Sequence, residues 1–91
     1  MVAVKVTITG RVQGVWYRGW TVENAQALGL DGWVRNCSDG TVEACFCGPA
    51  LMVQEMLSRC QTGPIAARVT SVHDEQTELF SEAGFNQLLT V

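Results

Sequence analysis

The chain has 91 residues, enough for one domain with a single core of two packed layers but too few for a separate cofactor domain. Hydrophobic residues make up 47% of it and charged residues 16%, a balance that excludes a wholly disordered chain. The net charge is −3 at pH 7, and the six basic residues form no run. Because a nucleic-acid backbone demands a basic surface, this charge argues against a nucleic-acid partner.

The first elements are a strand and a helix joined by a glycine loop. Apolar residues alternate with polar ones over residues 4–8, as in a half-buried strand. Residues 19–28 predict a helix, with apolar residues at steps of three: Val22, Ala25 and Leu28. Gly29 followed by Leu30 is a typical left-handed helix end with an apolar contact.

A hairpin is predicted next. A second strand runs over about residues 32–37, and Ser38-Asp39-Gly40 forms a tight turn because Asp-Gly tolerates positive φ. The third strand after it has one apolar face, formed by Val42, Ala44 and Phe46.

The second half predicts one more helix and two strands. Gly48-Pro49 opens the helix and Gly63-Pro64 ends it. Its apolar face follows helical spacing: Val53, Met56, Leu57 and Cys60. The fourth strand covers roughly 66–74 with an alternation irregular enough for a bulge. Residues 74–84 are polar and predict a loop, and a last strand covers about 85–90.

This order, βαββαβ with a terminal strand, predicts an α+β ferredoxin-like fold. One mainly antiparallel sheet of four to five strands would carry both helices on one face, within a single domain over residues 1–91. Such a fold hosts many functions and decides none of them.

Location and redox state follow from what the sequence lacks. No apolar stretch approaches the length of a membrane span, and the first residues alternate like a strand rather than forming a signal peptide. We therefore expect a cytoplasmic protein, acting as a monomer, with reduced cysteines. Cys45 and Cys47 do not have the spacing of common zinc or redox pairs.

The stretch from Gly10 to Arg18, GRVQGVWYR, indicates a phosphate site. Its two glycines let the backbone curl into the start of a helix, where unpaired N–H groups favour an anion. Arg18 adds a fixed fork of donors for an oxyanion.

This loop, together with GWVRNCSDGTVE from Gly32 to Glu43, closely resembles the acylphosphatase family. The first stretch matches the family pattern Gly-x-Val-Gln-Gly-Val-x-Phe/Tyr-Arg, and the second matches Gly-aromatic-small-x-Asn-x-x-x-Gly-x-Val. The resemblance covers nearly the whole chain and is weakest after Asp74.

The resemblance implies hydrolysis of small acyl phosphates to a carboxylate and phosphate, with no cofactor and no metal. Arg18 would bind the phosphoryl group and Asn36 would position the attacking water. The loop would form the phosphate cradle, with these substrate-binding residues: Gln13, Gly14, Val15, Trp16 and Tyr17.

The chemistry of the leaving group agrees with this set of residues. The chain has a single histidine, His73, and no Ser–His pair in a motif, metal cluster or Walker lysine. An acyl phosphate releases a carboxylate with a pKa near 4, so it needs no general acid. Phosphoryl transfer then needs mainly positioning and charge neutralisation.

Other residues have structural explanations beside functional ones. Trp16 either lines the mouth where the acyl group sits or fills the rim of the core. Gly19 stands where a stronger helix former is expected, and Gln87 interrupts the apolar face of the last strand; neither is assigned a catalytic role.

Two other functions fit parts of the sequence. A phosphate-binding module without turnover would use the same loop. A ferredoxin-like metal carrier would use Cys45 and Cys47. An RNA-binding sheet is disfavoured by the acidic charge and by the lack of an aromatic-rich basic strand.

Overall fold

A computed structural model describes residues 1–79 and 82–91 of the chain. It contains two helices and five strands within these residues. In chain order they are β1 Val2–Arg11, α1 Tyr17–Ala27, β2 Asp31–Asn36, β3 Val42–Gly48, α2 Ala50–Cys60, β4 Arg68–Gln76 and β5 Phe85–Gln87.

The strands form one sheet in the order β4-β1-β3-β2-β5. All pairs are antiparallel except β2 with β5, which is parallel. Both helices pack against one face of this sheet, and the buried cluster between the layers includes Val6, Ile8, Val34, Ala44, Phe46, Val53 and Met56. The predicted ferredoxin-like fold is confirmed.

Local patterns placed the central elements correctly. The predicted face of β3 is fully buried: Val42, Ala44 and Phe46. On α2, Val53, Met56 and Cys60 are buried and Leu57 packs against the same core. The end of α1 also follows the prediction, because the Leu30 N–H donates to the Ala25 carbonyl at 2.9 Å and the Leu30 side chain is buried.

Helix α1 begins two residues earlier than predicted, at Tyr17. This earlier start changes its inner face, which is formed by Tyr17, Thr21 and Ala25, while Val22 and Leu28 are only partly buried. The buried Thr21 hydroxyl is satisfied because it donates to the Tyr17 carbonyl at 2.8 Å. Arg18 therefore lies in the first helical turn rather than before the helix, and Gly19, predicted as the first helical residue, lies in the same turn.

Strand β4 confirms the predicted bulge and extends beyond its predicted end. Ser71 pairs with Thr9 and Val69 pairs with Gly10, so Thr70 has no opposite residue. The prediction that the loop begins at residue 74 is wrong, because residues 74–76 still pair with β1. Part of that predicted loop, residues 80 and 81, lies outside the described residues. The last strand is shorter than predicted and covers only Phe85–Gln87.

Candidate active site

The loop from β1 to α1 curls through two left-handed residues. Gly14 has φ 73°, and Trp16, the residue immediately before α1, has φ 68°. Left-handed φ is ordinary for glycine but uncommon for a large side chain. The loop therefore turns sharply just before the helix.

No side chain of the described residues neutralises the partial positive charge at the N-terminus of α1. It has no side-chain cap and no acidic residue in its first turn. Across the described part of the chain, no hydrogen bond occupies the backbone N–H groups of residues 14–19. Such a helix end carries a partial positive charge with donors to spare, which suits an anion.

Arg18 lies half-buried in this first turn. Its charge opposes the helix dipole there, which is an unfavourable place for a cation. Within residues 1–79 and 82–91, no carboxylate forms an ion pair with it. A bound anion would supply the charge that the position lacks.

Gln13 anchors the loop to the hairpin between β2 and β3. Its side-chain nitrogen donates to the carbonyls of Cys37 and Thr41, each at 2.8 Å. Both hydrogen bonds cross to residues more than twenty positions away. The Gln13 side chain thus fixes the loop relative to the end of β2, and only its backbone is free to take part in the phosphate cradle.

Asn36 is the last residue of β2. Its side-chain oxygen Oδ1 is buried and has no hydrogen-bond partner among the residues that the structure describes. Leaving a buried acceptor unpartnered costs about 1–3 kcal/mol, so native proteins rarely keep one without a use. A bound water or ligand group at this position would satisfy it.

One cavity of about 180 Å³ brings these features together. Its lining residues are Val12, Gly14, Trp16, Tyr17, Arg18, Gly19, Asn36 and Gln87. Arg18 and Asn36, which lie 18 positions apart in the sequence, therefore face one space.

Three of the lining residues were not expected from the sequence: Val12, Gly19 and Gln87. Gln87 carried a usable signal, because a polar residue interrupts an apolar strand there. That signal could not identify the cavity, since only the parallel pairing of Gln87 with Val34 sets β5 beside β2.

Besides Gln13, which does not line the cavity, two more residues predicted to bind substrate have most of their side chains elsewhere. Tyr17 is 1% exposed, and its hydroxyl donates to the Cys60 carbonyl at 2.6 Å. Burial, reinforced by Cys60, raises the pKa of this phenol far above its usual value, so it stays neutral. Val15 packs against the core and does not line the cavity. For both residues, the group available to a ligand is the backbone N–H.

The cysteines lie away from this cavity. Cys45 and Cys47 are buried on the sheet face opposite the helices, alternating with the core residues of β3. Within the described ranges, no group of three or more His, Cys, Asp or Glu side chains is arranged to hold a metal ion. His73 lies on the exposed edge strand β4.

A second depression, of about 370 Å³, lies between the end of α2 and β4. It is lined by Gln61, Val69, Thr70, Ser71 and Val72. None of these side chains is charged, so this depression offers no counter-ion for a phosphate.

The fold and the cavity define a ferredoxin-like protein with a cavity at an uncapped helix N-terminus. The family model for acylphosphatase matches residues 4–87. The chain is 52% identical over 90 residues to an acylphosphatase of Rhizorhabdus wittichii, covering 99% of this chain and 91% of the relative. It is 53% identical over 87 residues to one of Rhodospirillum rubrum, covering 96% of each.

Solved structures agree with the sequence relatives. An acylphosphatase from Coxiella burnetii superposes with a TM-score of 0.93 at 32% identity, covering 96% of this chain and 92% of that one. The chain therefore belongs to the acylphosphatase family and is an enzyme of that family. None of the described helices is both long enough and apolar enough to cross a membrane.

Proposed function

We propose that this enzyme hydrolyses the carboxyl–phosphate anhydride of small acyl phosphates in the 180 Å³ cavity. The observation that carries the proposal is that Arg18 and Asn36 line one cavity at an uncapped helix N-terminus. An arginine, a row of free N–H groups and an amide are the groups that this reaction requires.

Arg18 and the loop backbone bind the phosphoryl group. The guanidinium donates to two phosphoryl oxygens, and the N–H groups of residues 14–18 donate to the remaining ones. Charge that develops on these oxygens in the transition state is stabilised by donors already held in place. The net charge of −3 does not attract an anion, so this local arrangement supplies the affinity.

Asn36 orients the attacking water. Its unpartnered Oδ1 accepts a hydrogen bond from the water O–H, which directs the water lone pair at phosphorus. The water oxygen forms a bond to phosphorus while the bond from phosphorus to the acyl oxygen breaks. The carboxylate leaves with the electron pair, and a phosphoryl oxygen takes the proton of the water.

No side chain has to act as a general acid. The leaving carboxylate has a pKa near 4 and is stable as an anion at neutral pH. A side chain in place of Asn36 that carried a negative charge would repel the phosphate, whereas an amide is neutral.

Two substitutions test these roles separately. In Arg18→Gln we expect kcat/KM for acetyl phosphate to fall about a thousandfold, because the charged donor is lost, and inhibition by inorganic phosphate to weaken. In Asn36→Ala we expect kcat to fall about a hundredfold while inhibition by phosphate persists. Phosphate release measures the rates, and near-ultraviolet circular dichroism of the tryptophans checks folding.

Matched controls are available on the surface of the same sheet. Arg68→Gln on β4 and Asn86→Ala on β5 change exposed residues that do not line the cavity, and both should retain wild-type rates. Wild-type turnover in folded Arg18→Gln and Asn36→Ala would disprove the assignment. Phosphate binding without any turnover by the wild type would favour a binding module instead.

We further propose that the enzyme acts as a cytoplasmic monomer of one domain. The radius of gyration of 11.6 Å for the Cα atoms supports the single-domain part of this proposal, because it is close to that of one compact domain of 91 residues. Sedimentation equilibrium would give the monomer mass of 9.9 kDa, and a mass of twice that value would exclude this state.

A further inference from the structure

The cavity offers very little apolar surface apart from one ring. Val12 and Tyr17 line it but are each only 1% exposed, so their side chains are already covered by the protein. Trp16 is 58% exposed. Among the described lining residues, the Trp16 indole is therefore the large apolar group with surface left for a ligand.

Two exceptions to local preference hold this ring in place. Trp16 adopts left-handed φ, which is uncommon for a bulky residue. Gly19 lies in the first turn of α1, where glycine is a poor helix former. A Cβ atom on Gly19 would overlap the indole Nε1 and lie 2.7 Å from Cδ1. The missing side chain thus creates a seat for the ring against the helix, and both exceptions serve the same ring.

The charge of the cavity limits the acyl group further. Arg18 is the one charged side chain in the described lining, and the phosphoryl group requires it. An acyl group with its own carboxylate would find no second cation. The cavity is suited to an acyl group that is neutral and can use a flat apolar surface.

We propose that the Trp16 indole, seated on Gly19, is the acyl-group subsite and makes the enzyme prefer aromatic acyl phosphates to small aliphatic ones. This inference rests on the proposed function. An aromatic ring gains offset-stacked or edge-to-face contact with the indole that a methyl group cannot make.

The test compares kcat/KM for benzoyl phosphate with kcat/KM for acetyl phosphate. In Trp16→Ala we expect the benzoyl-to-acetyl ratio to fall about fivefold, and in Trp16→Phe we expect most of the ratio to remain. In Gly19→Ala the ratio should also fall, because the new methyl group displaces a ring that is still present. The ratio does not depend on the fraction of active protein, so modest destabilisation does not affect it.

Trp33→Ala is the matched control. Trp33 lies on the opposite sheet face, where its ring contacts Arg35 with 4.6 Å from the guanidinium carbon to the ring centroid. This variant should keep the wild-type ratio. A second readout needs no turnover, because it measures competitive inhibition by two phosphonates. In Trp16→Ala, inhibition by phenylphosphonate should weaken relative to inhibition by methylphosphonate.

The outcomes separate this inference from the proposed function. Turnover of both substrates with an unchanged ratio in Trp16→Ala and Gly19→Ala overturns the aromatic subsite alone. Failure of the wild-type enzyme to hydrolyse either acyl phosphate overturns the proposed function and, with it, the subsite.

Discussion

At the scale of single residues, Gln13 connects the loop between β1 and α1 with the strand that carries Asn36. Its side-chain nitrogen bridges the carbonyls of Cys37 and Thr41, on either side of the hairpin turn. The loop pattern alone favours a role for Gln13 in substrate binding, whereas the side chain is engaged within the protein. We interpret Gln13 as the residue that sets the distance between the two halves of the site.

Gln13→Ala should therefore weaken substrate binding more than the loss of a few side-chain atoms suggests. The change leaves the Cys37 and Thr41 carbonyls without this donor, so we expect the free energy of unfolding to fall by about 1–2 kcal/mol. Because the loop loses its tether, KM for acetyl phosphate should rise as well. Urea titration and steady-state kinetics check both effects. Gln54→Ala, on the exposed face of α2, is the control, and an unchanged KM in Gln13→Ala would contradict this interpretation.

At the scale of elements, β2 is held along its outer edge by the segment that follows β5. The Leu88 N–H donates to the Val34 carbonyl at 2.8 Å, and the Val91 N–H donates to the Asn36 carbonyl at 3.1 Å. The Ser38 N–H donates in turn to the backbone oxygen of Val91 at 2.6 Å. These backbone hydrogen bonds position the end of β2, and with it the Asn36 side chain.

A chain that ends at Gln87 should consequently lose activity as well as stability. Without residues 88–91, the hydrogen bonds at Val34, Asn36 and Ser38 disappear, and we expect the free energy of unfolding to drop by about 1–3 kcal/mol. Misplacing Asn36 should lower kcat at least about tenfold. Leu89→Ala in the full chain keeps these backbone bonds and should leave kcat unchanged. If the shortened, folded chain keeps its kcat, the segment does not position Asn36.

At the scale of the whole molecule, the two helices cover one face of the sheet, whereas the other face carries ion pairs and two buried cysteines. On the open face, Glu43 forms ion pairs with Lys5 at 3.2 Å and with Arg35 at 2.6 Å. Cys45 and Cys47 are buried on that same face, and Cys60 is buried in the core. Cys37 is the half-buried exception, next to the site.

Thiol reactivity should follow this burial. Burial raises the pKa of the Cys60 thiol to about 12 and also raises the pKa of Cys45, so these groups are neutral and shielded at pH 8. With a disulfide reagent at pH 8, we expect one of the four thiols to react quickly in the native enzyme and all four to react in denaturant. Cys37→Ser should remove the fast phase, and fast reaction of a second thiol in that variant would contradict the packing.

The sequence by itself determined most of the fold and both central residues of the candidate site. Strand alternation, the helical spacing on α2 and the turn at Asp39-Gly40 all depend on neighbours along the chain, so local physics suffices to predict them. Arg18 and Asn36 could be identified because each lies inside a local motif. Their catalytic roles stay predictions.

Only the tertiary structure decided which residues share the cavity. The start of α1 at Tyr17 and the place of Gln87 depend on packing between elements that are distant in the sequence. The contact of Trp16 with Gly19 is close in the sequence, but it goes with the left-handed backbone of Trp16, which the sequence pattern does not predict. The polar end of β4 likewise forms a strand because it pairs with β1, against its own local pattern. Local propensity differences are small compared with the free energy of burying a side chain such as that of Tyr17, so packing prevails over the local pattern at the start of α1. Residues 74–76 are exposed, so at that end of β4 the backbone pairing with β1 decides instead.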